Sequence, residues 1–139
     1  MNAIDTNVFV YAIDTSDDEK YQLAVELISH LAMSKPPTLL IWQVACEYVN
    51  QLRKRARKNE LTLVEVEDMT RRMLNLFPMQ YPKEYTLLKS FDLISRYSLS
   101  HWDAMLIAAC KEAGVTTLYS EDMQDGMDYD GVQIVNPFA

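Results

Sequence analysis

The 139-residue chain carries 13 Lys and Arg against 20 Asp and Glu, a formal net charge of −7, and is 49% hydrophobic. A chain of that length buries about two thirds of its unfolded surface, so neither disulfides nor a structural metal is needed, and residues 1–139 are expected to form one domain. The acidic excess excludes a protein that holds nucleic acid by bulk electrostatics, and three glycines without a biased tract exclude a low-complexity chain.

In chain order, residues 2–4 read as a short strand ending at Asp5, and the segment after it reads as a brief helix or turn leading away from the strand end. Residues 18–34 predict a helix: Ala24, Leu27, Ile28, Leu31 and Ala32 recur at helical spacing, and Asp17, Asp18 and Glu19 suit its first turn. Pro36 and Pro37 end it. "TLLIW" (38–42) reads as a buried strand, and a helix follows over about 43–58 with Val44, Tyr48, Val49 and Leu52 on one face and Asn59 as its stop. Thr62 and Glu65 have capping-box spacing at the start of a helix that ends before Pro78. A further helix spans 85–97, and another runs from a Ser100 cap to Gly114. "VTTLYS" (115–120) and "VQIV" (132–135) read as strands either side of an acidic loop. This order indicates an α/β fold with a short, mainly parallel central sheet and helices on both faces, in which ligands bind beyond the carboxyl ends of the strands.

Cys46 and Cys110 lie in apolar-periodic segments without a metal-ligand or C-x-x-C spacing, and read as reduced core residues of a cytoplasmic protein. No basic segment followed by an apolar stretch marks the start as a signal peptide. The longest apolar run, Ala104 to Cys110, is too short to span a bilayer, so no membrane association is expected.

Four carboxylates fall where strands end and helices begin: Asp5, Glu47, Asp103 and Asp122. Each has a structural reading. Asp5 and Asp122 suit turns, Asp103 suits the first turn of a capped helix, and Glu47 suits a solvated helix face. Together they select one edge of the sheet. Four converging carboxylates require a counter-charge, and an all-oxygen set without spaced histidine or cysteine favours a hard ion, Mg²⁺ or Mn²⁺. Water-driven, metal-assisted cleavage of a phosphodiester is the chemistry such a set supports.

The stretches "AIDTNVFVYA", "ACEYVNQL", "SHWDAMLIAACKEAG" and "TLYSEDMQDG", in this order, resemble the PIN-domain ribonucleases, especially the VapC-like toxins of toxin–antitoxin pairs. The resemblance runs from residue 3 to about 126. It implies that Asp5, Glu47, Asp103 and Asp122 coordinate Mg²⁺ or Mn²⁺, directly or through water. It also implies that Thr6, Asn7 and Ser120 orient these carboxylates, and that the protein cuts RNA to leave 5′-phosphate and 3′-hydroxyl ends. A homodimer and a small blocking antitoxin are implied as well, with the helices around 43–76 as candidate contacts. Trp102 is expected to pack in the core and His101 to serve as a helix-start residue. Asp125 is a second candidate from the loop that carries Asp122.

"RKRARK" (53–58) gathers five of the 13 basic residues, and reads either as a solvated helix end or as an RNA guide through Arg53, Lys54 and Arg55. Two other readings stand beside the nuclease. A phosphatase of the haloacid dehalogenase type would use Asp5 as nucleophile, but Asn7 occupies the position where that chemistry places an acid. A non-catalytic PIN-fold module would bind RNA or protein without cutting.

Overall fold

A computed structural model describes all residues, 1–139. β1 (Asn2–Ile4) lies at the centre of the strand arrangement. On one side it pairs in parallel with β4 (Thr117–Tyr119), which pairs in parallel with β6 (Val132–Val135), and β5 (Asp128–Tyr129) closes that edge antiparallel to β6. On the other side an Ala3 to Leu39 bridge joins β1 to the start of a parallel pair, β2 (Leu40–Ile41) and β3 (Met79–Gln80). The chain therefore leaves β1 for neighbours on one side and returns later on the other. A ligand crevice forms where such a switch occurs, at the carboxyl ends of the strands, and Asp5 stands at that end of β1.

Local chemistry sets the helices. Asp5 caps α1 (Thr6–Tyr11), and Asp17 caps α2 (Asp18–Leu31) by accepting from the Lys20 N–H. α3 (Trp42–Arg57) starts directly from β2 without a side-chain cap and ends with Lys54, Arg55 and Arg57 in its last turn, where cations suit the helix dipole. Thr62 and Glu65 form the expected capping box of α4 (Leu63–Leu76). α5 (Glu84–Tyr97) precedes α6 (His101–Glu112), whose Ser100 cap accepts from the Asp103 N–H at 3.2 Å.

The core gathers Ala3 and Ile4 of β1, Leu40 and Ile41 of β2, Leu118 of β4 and Ile134 of β6. α6 is buried along Ala104 and from Leu106 to Cys110, and its alanines let neighbouring backbones approach closely. On the α1 side Phe9 meets Tyr48 and Phe77, with ring centroids 5.6 and 5.8 Å apart. Asp130, in the turn between β5 and β6, accepts from Lys89 at 2.8 Å and Arg96 at 3.2 Å, which holds its carboxyl down at about 2 and anchors that turn to α5.

The α/β architecture agrees with the sequence reading, and several details differ. The strand expected over 38–42 is confined to Leu40–Ile41 because α3 begins at Trp42. β3 and β5, two residues each, were not expected: so short a strand is defined by its partner more than by its own composition. Cys46 is exposed, not core, because it lies off the α3 face that carries Val44, Tyr48 and Leu52, whereas Cys110 is buried. Trp102 is also solvent-facing, at 63% exposure, because the buried face of α6 begins at Ala104.

Candidate active site

Asp5 is only 6% exposed, and both of its oxygens are engaged. Oδ1 accepts from the Thr6 N–H at 2.7 Å, the first free donor of α1, and Oδ2 accepts from the Ser120 hydroxyl at 2.7 Å. Ser120, fully buried just past β4, also accepts from the Asp122 N–H at 3.2 Å through the same oxygen. One hydroxyl thus ties the ends of β1 and β4 to the backbone of Asp122.

Glu47 approaches from the second turn of α3. Its Oε2 accepts from the Thr6 hydroxyl at 2.8 Å, and its Oε1 accepts from the Gln43 amide at 3.0 Å. The same Gln43 nitrogen donates to the Trp102 carbonyl at 3.1 Å, which joins the start of α3 to the start of α6. Asp103, half-buried, stands one residue further along α6, and its negative charge bears on the Tyr129 phenol of β5.

Asp5 lies within the electrostatic reach of Asp122 and Glu47. Burial pushes the Asp5 carboxyl up to about 6 against its two hydrogen bonds, and the charges of Asp122 and Glu47 push it further in the same direction. A carboxylate placed so is unfavourable when ionised without a nearby cation. No three His, Cys, Asp or Glu side chains stand close enough to enclose an ion by themselves. The donor chemistry nevertheless fits Mg²⁺ or Mn²⁺: every candidate ligand is an oxygen, and Mg²⁺ keeps several waters while binding through one or two carboxylates.

The remaining acidic residues of the loop are committed elsewhere. Asp125 accepts from the Asn136 N–H at 2.8 Å, Asp128 from the Gly131 N–H at 2.6 Å, and Asp130 belongs to the Lys89 and Arg96 cluster. Asp122 remains exposed at the crevice rim. The Asn7 side chain makes no hydrogen bond to Asp5. Its Oδ1 accepts from the Glu121 N–H at 3.4 Å, and its buried Nδ2 has no partner. Glu121 is in turn paired with Lys20 at 2.9 Å, and Lys20 also lies over the Tyr11 ring.

In the basic segment, Arg55 reaches Asp14 at 3.9 Å, Arg53 is exposed, and Lys54, Arg55 and Lys58 line a polar cavity of about 480 Å³. Gln43 was missed in the sequence, although its position four residues before Glu47 on a helix is a readable signal for a side-chain pair. Glu121 gave no such signal, since its partners Asn7, Tyr11 and Lys20 are all more than 100 residues away.

The PIN domain family profile matches residues 3–125. The chain belongs to the PIN domain family. Its fold is that of three solved structures. VapC20 of Mycobacterium tuberculosis, described as a sarcin–ricin loop cleaving toxin, superposes with a TM-score of 0.65 at 15% identity, covering 88% of this chain and 90% of that one. A toxin–antitoxin complex from Klebsiella pneumoniae gives 0.64 at 20% identity, over 99% and 98% of the two chains. VapBC2 from Rickettsia felis, bound to a DNA fragment from its promoter, gives 0.69 at 14% identity, over 96% of each. Comparison with curated protein sequences finds no match.

The raised Asp5 value fixes the sign of a stability prediction. Its folded value, about 6, lies above the unfolded one of roughly 4, so protonation favours the folded chain and stability is lost as pH rises from about 4 through 6. Asparagine mimics the protonated form and can still cap α1. Asp5→Asn is therefore expected to be more stable than the wild type by on the order of 2 kcal/mol at pH 7 in EDTA, with the gap closing by about pH 4. Urea unfolding at the two pH values measures it; a less stable variant at pH 7 would contradict the electrostatic account.

Proposed function

We propose that the chain is a single-domain, divalent-metal-dependent endoribonuclease acting as the toxin of a toxin–antitoxin pair. Family membership supports a nuclease, and the observation that carries the reading is the buried Asp5 at the switch between β2 and β4, its carboxyl raised by burial and, to a smaller extent, by the charges of Asp122 and Glu47. In this reading Asp5, Glu47, Asp103 and Asp122 hold Mg²⁺ or Mn²⁺, directly or through water. The ion, when bound, supplies the positive charge that lets these groups ionise together, and polarises water and phosphate.

The chain's own residues do the positioning. Ser120 fixes Asp5 to the β4 end, while Thr6 and Gln43 each take one oxygen of Glu47 and fix its rotamer. Asn7 acts one step further away, by holding the backbone of Glu121 next to Asp122. Held so, the carboxylates orient a water to attack phosphorus opposite the 3′ oxygen. The P–O3′ bond breaks, and the products carry a 5′-phosphate and a 3′-hydroxyl.

Lys54 and Lys58 line the polar cavity beyond Glu47 on the same helix, which suits them to the phosphates of an RNA that the acidic rim would otherwise repel. Leu63 and Val64 of α4 and Leu87, Leu88 and Phe91 of α5 face solvent. Exposed apolar side chains in this number suit protein contacts, here a second copy of the chain and a small antitoxin. No helix is long and apolar enough to cross a membrane, which agrees with a cytoplasmic site of action.

Purified protein incubated with RNA and Mn²⁺ is expected to cleave, and Asp5→Asn and Asp103→Asn to lose at least 100-fold in rate. Equal cleavage by all three would trace the activity to a contaminant, and cleavage by none would favour a non-catalytic binding module. In the same assay, replacing Arg53, Lys54 and Arg55 by alanine is expected to weaken RNA binding and flatten its dependence on salt. Binding unchanged at every salt concentration removes the guiding role of that segment.

A further inference from the structure

Both tryptophans of the chain, Trp42 and Trp102, line one cavity of about 520 Å³, within the roughly 300–1,000 Å³ usual for small-molecule sites. They are 43% and 63% exposed, although large aromatic side chains are ordinarily spent in a core. Tyr81 lies against Trp42 with ring centroids 5.5 Å apart and extends the aromatic surface beyond the cavity lining. The Gln43 bonds to Glu47 and to the Trp102 carbonyl fix the cavity's two sides with respect to each other.

The lining identifies the kind of occupant. Glu47 is part of the wall, so the cavity opens onto the carboxylate rim, and no Lys or Arg contributes to it. That excludes a phosphate as the preferred guest and contrasts with the separate polar cavity that Lys54, Arg55 and Lys58 line. Flat aromatic faces with the Asn50 amide and the Gln43 amide oxygen beside them, the Gln43 nitrogen being committed to Glu47 and to the Trp102 carbonyl, match a neutral, planar, heteroaromatic group with polar edges. An aliphatic side chain of a protein partner would fill the apolar floor but leave the Asn50 amide and the Gln43 amide oxygen without a partner.

We propose that this cavity is a subsite for one unpaired nucleobase of the substrate, seated between Trp42 and Trp102 beside the bond to be cut. The proposal rests on the ribonuclease reading above and deepens it: the subsite selects unpaired RNA, and the base it accepts sets the sequence preference. Trp42 and Trp102 are specificity-determining residues, acting on substrate binding while the carboxylates act on the reacting phosphate.

Two built-in reporters make a test possible without cleavage. Tryptophan emission comes from this cavity alone. Cys46 lines the same cavity and is the exposed thiol, while Cys110 is buried, so alkylation by iodoacetamide reads the cavity too. Adenosine, guanosine, cytidine and uridine, which carry no phosphate, are titrated into the full-length protein in EDTA. At least one is expected to change the emission and slow Cys46 alkylation. Trp102→Leu, an exposed position whose replacement should leave the melting temperature unchanged, is expected to weaken that protection about 5- to 100-fold.

Absence of protection by all four nucleosides overturns the proposal, as does equal protection in Trp102→Leu. Protection by an apolar peptide but by no nucleoside overturns it in favour of a protein-docking groove. The RNA cleavage assay is run in parallel. Nucleoside protection without cleavage by the wild type defeats the nuclease reading and leaves the base subsite standing. Cleavage with unchanged KM and unchanged sites in Trp102→Leu defeats the subsite and leaves the nuclease.

Discussion

The arrangement at the crevice depends on one buried carboxylate. Asp5 ends the central strand, caps the helix that follows and receives the Ser120 hydroxyl from the adjacent strand end, so it fixes three elements at one point. Each bond offsets part of the cost of burying a charged group, but burial prevails and the carboxyl is raised to about 6. A residue selected for stability alone would be asparagine or serine, which cap a helix equally well without a charge. The retained carboxylate is a local instability at the ligand edge of the sheet, as expected of a group kept for its charge.

Around it, the neighbouring side chains form a scaffold of donors. Thr6 and Gln43 converge on Glu47 from opposite sides, and Gln43 carries the connection on to α6 through the Trp102 carbonyl. Two cavities along α3 differ in chemistry: the one that Glu47 lines is aromatic and without cations, and the one lined by Lys54, Arg55 and Lys58, with Asp14 and Glu60 beside them, is polar. A polyanionic chain with flat bases crossing the carboxylate rim would find a place for its bases on one side and for its phosphates on the other. A net charge of −7 and an RNA substrate are compatible on these terms, because the attraction is local.

Much of the fold was legible because its signals are local. The Thr62 to Glu65 capping box, the Ser100 cap and the acidic first turn of α2 are written within four residues each, and the helices begin where those signals lie. The strand ends that carry Asp5 and Asp122 were legible as well. β3 and β5 were not, since two residues acquire strand geometry only from a partner far away in sequence. The exposure of Trp102 and Cys46 was illegible for a related reason: an aromatic or thiol near a helix start is buried only if a neighbouring element covers it, and none covers these. At the site, the partner of Asn7 was not legible either, since its Oδ1 accepts from the Glu121 N–H, 114 residues away.

The central claim is that the carboxylates around Asp5 are held for a divalent cation. Calorimetric titration of the metal-free wild-type protein with Mn²⁺ at pH 7 tests it without any assumption about RNA. Saturable binding that is lost in Asp5→Asn is the predicted result. Absence of binding by a folded wild-type protein, or equal binding by the variant, would contradict the account.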